Sequence, residues 1–164
     1  MKIGVISDTH DNLAAIEAAA RRFVQEGVQY VVHAGDYIFP ATARAFAPIQ
    51  EAGVPFLGIF GNNDGERFGL RKMYEPIGPI HEDPHRFELG GRRILVTHRE
   101  VLVDALAKSG DFDVVIYGHT HQVDLRTEPC LILNPGEACG WLSGRRTVAL
   151  LDLETLKAEI VELA

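Results

Sequence analysis

The chain is constrained most by where its short apolar runs stop. Residues 3–7, 30–33, 55–60, 93–97 and 114–117 each read as a buried strand, too short for an ordinary helix. Each run ends at or near residues of one chemical type. These are Asp8-Thr9-His10, Gly35-Asp36, Gly61-Asn62-Asn63-Asp64, Thr97-His98 and Gly118-His119-Thr120-His121. In open α/β sheets, ligands collect at the carboxyl ends of strands. Strand ends bearing Asp, Asn and His therefore predict convergence on one site.

The segments between these runs complete the fold class. Asp11 or Asn12 can cap a helix in which Leu13, Ile16, Ala20 and Phe23 recur at helical spacing, and Gly27 is placed to stop it. A shorter helix is expected over 42–50, weakened by Pro48. Strands alternating with helices imply right-handed parallel crossovers in the first half. The second half is richer in strands. Residues 86–89 and 93–97 flank Gly90-Gly91, a hairpin signal. A helix over 100–108 is expected to bury Val101, Leu102, Ala105 and Leu106, and residues 131–133, 147–153 and 157–162 to continue the sheet. The pattern predicts an α/β fold of two facing sheets with helices outside. With 164 residues and no repeat or linker, one domain over 1–164 is expected.

Composition excludes several classes. No apolar run approaches the roughly 18 residues that span a bilayer. The opening segment is too short and too quickly polar for a signal peptide, so a cytoplasmic protein is expected. Cys130 and Cys139 form no CxxC pair and read as reduced structural thiols. A formal net charge of −7 argues against a uniformly basic nucleic-acid binder, and no dedicated nucleic-acid-binding segment is present. Bound cations would nevertheless dominate the field of a local site.

Asp and His are good ligands for Mn²⁺, Fe, Ni²⁺ and Zn²⁺. Asp8 and His10 are one residue apart, as are His119 and His121, so each pair can reach one ion from a turn. A carboxylate such as Asp36 can bridge two ions. Alone, each motif has an ordinary reading as a helix cap or tight turn. Their ordered recurrence is what points to metal chemistry.

The ordered set DxH, GD, GNxD, H and GHxH resembles the calcineurin-like metallophosphoesterase superfamily. The small size and Asn134-Pro135-Gly136 after the last motif are similar to its compact YfcE-like phosphodiesterase branch. The resemblance implies a four-layer α/β/β/α sandwich and two divalent ions, Mn²⁺ first, with Ni²⁺, Fe or Zn²⁺ as alternatives. It implies that Asp8, His10, Asp36 and His121 hold one ion, and that Asp36, Asn62, His98 and His119 hold the other. It also implies hydrolysis of a small phosphate ester by a metal-bridging hydroxide, with Asn62, Asp64 and His98 in catalytic positions. Asn62, Asn63 and Arg99 are candidate substrate contacts, and Arg67 and Arg71 weaker ones.

Three places depart from the pattern. Asn63 stands where many relatives carry a histidine that assists the leaving group, and an amide cannot act as a general acid. His98 is followed by Arg99-Glu100 where relatives usually continue with Gly, and Glu137 stands where relatives often have Ser. The first departure favours diesters or esters with good leaving groups. The alternatives are a phosphomonoesterase or nucleotidase, or a non-catalytic protein-binding scaffold resembling the retromer subunit of this fold. Oligomeric state stays open: small relatives commonly self-associate, and Trp141 is a candidate contact for a homo-oligomer.

Overall fold

The computed structural model describes residues 1–163. In chain order the strands of the first half are β1 (Lys2–Ile6), β2 (Tyr30–His33), β3 (Phe56–Ile59), β4 (Ile80–His81), β5 (His85–Leu89) and β6 (Arg92–Val96). They are followed by β7 (Val114–Ile116), β8 (Val123–Arg126), β9 (Leu131–Pro135), β10 (Thr147–Asp152) and β11 (Lys157–Glu162). One sheet has the order β11-β10-β1-β2-β3-β4 and the other β5-β6-β7-β9-β8. Strands β1 to β4 run parallel, as do β6, β7 and β9, so their carboxyl ends point the same way within each sheet.

The parallel strands are buried on both faces, which is why they read as unbroken apolar runs. In β1, Ile3 and Val5 face the second sheet, where they meet Val32, Ile59, Ile94, Val96, Val114 and Ile116. Ile6 faces the other way, into a cluster with Ile16, Ala20 and Phe23 of α1 (Leu13–Gln25). That outer layer also contains a 3-10 segment (Pro40–Phe46), α2 (Ala47–Glu51) and α3 (Arg67–Tyr74). On the far side, Val103 and Ala107 of α4 (Val103–Lys108) pack on Leu95, Val115 and Ile132. The layers are therefore α/β/β/α, as the resemblance implies.

Local expectations fare unevenly. Asn12 caps α1, its side chain accepting from Ala15 N at 3.1 Å. Gly90-Gly91 turns the β5–β6 hairpin, with Leu89 opposite Arg92. The segment 42–50 is not one helix: the 3-10 turns end at Phe46, and Pro48 lies in the first turn of α2, where no donor is lost. The helix expected over 100–108 is also split, its first turn being 3-10 (Glu100–Leu102). Its apolar face is corrected accordingly. Val101 and Leu102 are exposed, Ala105 is exposed and Leu106 is half-buried, while Val103 and Ala107 reach the core. A 3-10 turn advances three residues rather than 3.6, which rotates the face that follows. The short β4 and the mostly exposed β8 have no matching apolar run and escape a reading of the sequence. Among the described residues no helix is long and apolar enough to cross a membrane.

Ile116 is fully buried between the sheets, one strand turn before the Gly118-His119 segment. Ile116→Ala is expected to cost about 2–5 kcal/mol. Urea unfolding should show a lower midpoint with an unchanged slope.

Candidate metal centre

The backbone after each strand turns abruptly. Asp8, His10, Asp36, His119 and His121 all have positive φ, between 37° and 67°. This left-handed region is uncommon for residues other than glycine, and Asp and His are among the types that tolerate it. Such conformations cost of order 1–3 kcal/mol each and persist only where the surroundings hold them. Two glycines allow the close approach this needs. A Cβ on Gly61 would collide with Asp36 Oδ1, and one on Gly118 with Ser7 Oγ.

Hydrogen bonds stitch these turns together. Asp64 is buried, and its carboxylate accepts only backbone N–H groups. Oδ2 takes Asp36 N at 3.0 Å and Gly61 N at 2.7 Å. Oδ1 takes Tyr37 N at 2.8 Å and Ile38 N at 2.9 Å. Asn63 donates to both oxygens of Asp36, from its backbone N at 2.9 Å and its amide at 2.8 Å. Asp8 Oδ2 accepts from Ser7 Oγ at 2.6 Å and from His119 N at 3.1 Å.

The remaining polar atoms face one another. His10 Nε2 lies 3.7 Å from Asp8 Oδ1 and 3.4 Å from Asp36 Oδ2. His121 Nε2 is 3.4 Å from Asp8 Oδ1, and His98 Nε2 is 3.4 Å from Asp36 Oδ2. Asp8 Oδ1, His10 Nε2 and His98 Nε2 are buried without a hydrogen-bond partner. The groups Asp8-His10-His121 and Asp8-Asp36-His98 each present ligand atoms within 4.8 Å of one another. The ring of His119 packs edge-on to that of His98, with centroids 5.2 Å apart.

Tautomers follow from the partners. His98 Nδ1 is 2.8 Å from the Ala34 carbonyl, which can only accept, so Nδ1 carries the proton and Nε2 keeps a lone pair. His121 Nδ1 is 2.7 Å from the Glu137 carboxylate, with the same result. Burial opposes charge on His98, yet the adjacent Asp36 outweighs it and raises its pKa to about 8. Burial likewise opposes charge on Asp36, but His98 and the Asn63 donors hold it well below the usual carboxylate range. The sum is a pair of buried carboxylates faced by the Nε2 atoms of His10, His98 and His121. A divalent cation satisfies such orphaned donors, replacing protons as it binds. The residues present fit that role.

The comparisons with known proteins agree. Residues 1–156 match the calcineurin-like phosphoesterase superfamily domain. The chain belongs to that superfamily. It is 38% identical over 159 residues to a phosphodiesterase of Methanocaldococcus jannaschii, covering 94% of each chain. It is 28% identical to phosphodiesterase YfcE of Escherichia coli K12, covering 74% of this chain and 70% of that one. A solved archaeal phosphodiesterase superimposes with a TM-score of 0.90 at 35% identity, covering 99% of this chain and 100% of that one. The chain is thus a phosphoric ester hydrolase, and its family implies divalent metal ions.

Asn62, in the turn after β3, is exposed. Arg99 is exposed and forms no ion pair among the described residues, while Glu100 approaches His119 Nε2 at 3.9 Å. Arg67 and Arg71 pair with Glu82 at 2.8 and 2.7 Å and flank the Phe60 ring. Four supporting residues were missed. His33 is buried, accepts from Gly35 N and contacts Thr9 Oγ1 at 3.2 Å. Asp83 holds Thr97 Oγ1 at 2.8 Å and His98 N at 3.0 Å. Asn134 donates to Gly118 O and Thr120 Oγ1. Glu137 was marked only as a departure from relatives. The one available signal was their closeness to strand ends.

Asp64→Asn keeps the shape but swaps one acceptor for a donor. Whichever way the amide turns, two backbone N–H groups lose their acceptor. The expected loss is about 2–6 kcal/mol, at roughly 1–3 for each of the two unmet buried groups. Chemical denaturation would measure it, and the weakened loops should also hold metal less tightly in a chelator competition.

Proposed function

We propose that this phosphoesterase is a two-metal phosphodiesterase acting on small phosphate esters. The observation that supports it best is the set of orphaned lone pairs around Asp8 and Asp36. The naming of the 38%-identical relative as a phosphodiesterase adds to it. In this reading Asp8, His10, Asp36 and His121 hold one ion. Asp36, Asn62, His98 and His119 hold the other, so Asp36 bridges. Mn²⁺ is the first candidate, ahead of Ni²⁺, Fe and Zn²⁺, since Asp and His donors accept all of them.

When bound, two such ions supply Lewis acidity toward phosphate oxygens and lower the pKa of a shared water to about 7. The chain's own residues set the frame for that chemistry. Asp36 keeps its charge, and Asp64 fixes the turn that carries Asp36. His98 and His121 present Nε2 because their Nδ1 protons are engaged. Hydrolysis adds the oxygen of water to phosphorus and expels the ester oxygen.

The leaving oxygen has no histidine at position 63. The Asn63 amide is committed to Asp36 Oδ2 at 2.8 Å, so it neither donates a proton nor reaches freely toward an ester. Esters of acidic alcohols, aryl or nucleotide-phosphate oxygens, are the substrates that tolerate this. The rate should therefore fall steeply as leaving-group pKa rises across a series of aryl diesters. A flat series, with chemistry shown to be rate-limiting, would overturn this part of the proposal.

The scaffold reading is disfavoured because the whole ligand set is kept. The deciding assay compares bis-p-nitrophenyl phosphate with p-nitrophenyl phosphate, after chelation and after adding back Mn²⁺, Ni²⁺, Zn²⁺ or Mg²⁺. Diester turnover should vanish on chelation, return with metal, and be lost in His119→Ala. Turnover of the monoester alone would make the protein a phosphatase. Folded protein inactive with every metal would point to the scaffold.

A further inference from the structure

Glu137 lies two residues past the end of β9 and is fully buried, yet it is outside both ligand groups around Asp8. Its Oε2 accepts from His121 Nδ1 at 2.7 Å, from Cys139 Sγ at 3.1 Å and from Trp141 N at 3.0 Å. Its Oε1 accepts from Leu142 N at 3.0 Å, from Ser143 N and from Ser143 Oγ at 2.6 Å. One carboxylate thus ties a histidine of the metal centre to the loop over residues 139–143. The loop returns to the same side of the centre, where Trp141 Nε1 donates to the His10 carbonyl at 3.1 Å.

The two halves of the centre are backed differently. Behind His98 stands a neutral carbonyl, that of Ala34. Behind His121 stands a carboxylate. A carboxylate facing Nδ1–H fixes the ring and raises the basicity of the far nitrogen more than a carbonyl dipole does.

We infer that Glu137 is a positioning residue that makes the two cation sites unequal, tightening the one served by His10 and His121 and coupling its occupancy to the order of the Trp141 loop. The inference rests on the two-metal reading. Trp141 is the single tryptophan of the chain and 62% exposed, so it reports on the loop directly. Its neighbour Leu142 is also exposed, so the loop forms an apolar rim whose placement depends on the same carboxylate.

The test is a Mn²⁺ titration of the metal-stripped full chain by calorimetry, with Trp141 emission followed in parallel, for wild type, Glu137→Gln and Glu137→Ser. Wild type should bind in two steps. Glu137→Ser should weaken the tighter step about 10–100-fold, the usual cost of losing such a partner, and leave the other within about threefold. Glu137→Gln keeps the volume and a neutral acceptor, so it should fall between the two and serves alone if the serine variant fails to fold. The change in Trp141 emission should move with the weakened step. Two unchanged steps with altered emission would overturn the inference, reducing Glu137 to a loop anchor, and so would equal weakening of both steps. Wild type that binds no cation would overturn the two-metal reading itself, and this inference with it.

Discussion

Two carboxylates, Asp8 and Asp36, are buried close together at the ends of neighbouring strands, and much of the surrounding structure answers that fact. An ion taken out of water costs several kcal/mol unless partners replace the hydration. Here the partners come in layers. Ser7 and the His119 amide serve one oxygen of Asp8, and Asn63 serves both oxygens of Asp36. Imidazoles face what is left. Around these stand groups that touch no candidate ion, namely Asp64, Asp83, Asn134 and Glu137, and each fixes a turn that carries a ligand. A cation completes the compensation, because it is the one partner that meets both carboxylates and several imidazole lone pairs together.

The same layering separates what the centre attracts from what the whole chain attracts. The formal charge of −7 would repel a phosphate at long range. Within a few ångströms the local charge count governs, and on the two-metal reading two divalent ions would exceed the charge of Asp8 and Asp36. Arg67 and Arg71 share the single carboxylate of Glu82. Phe39, Phe68, Val101, Leu102, Trp141 and Leu142 are large apolar side chains left exposed on the surface.

The strand ends were legible because they combine two independent signals, an apolar run and a cluster of rare residue types. The two facing sheets followed from the strand count, and the Gly90-Gly91 hairpin from its turn chemistry. Two strands and one helix face were not legible, for reasons of periodicity. Strand β4 is two residues long, and β8 is Val-Asp-Leu-Arg with most of its surface exposed. Val101 and Leu102 look like core residues until a 3-10 turn rotates them outward. The supporting residues were hidden more deeply. Asp83, Asn134 and Glu137 are common types at loop positions, and their importance lies in partners that only the fold brings near. Position 63 was legible as a departure from relatives, but its commitment to Asp36 needed coordinates.

Many of the contacts that shape the centre join distant parts of the chain. Asp8 meets the amide of His119, 111 residues away, and Asn12 meets the carbonyl of Cys139, 127 residues away. Closing such long loops is entropically unfavourable until the intervening structure has formed. The first sheet can assemble most of its parallel core from residues 2–81, yet the ligand turns of that half have no second wall until the other sheet docks. A cation held by ligands of both halves would favour the finished sandwich over either half. It would act as a late clasp, stabilising chains that have completed assembly and giving little to those still partway.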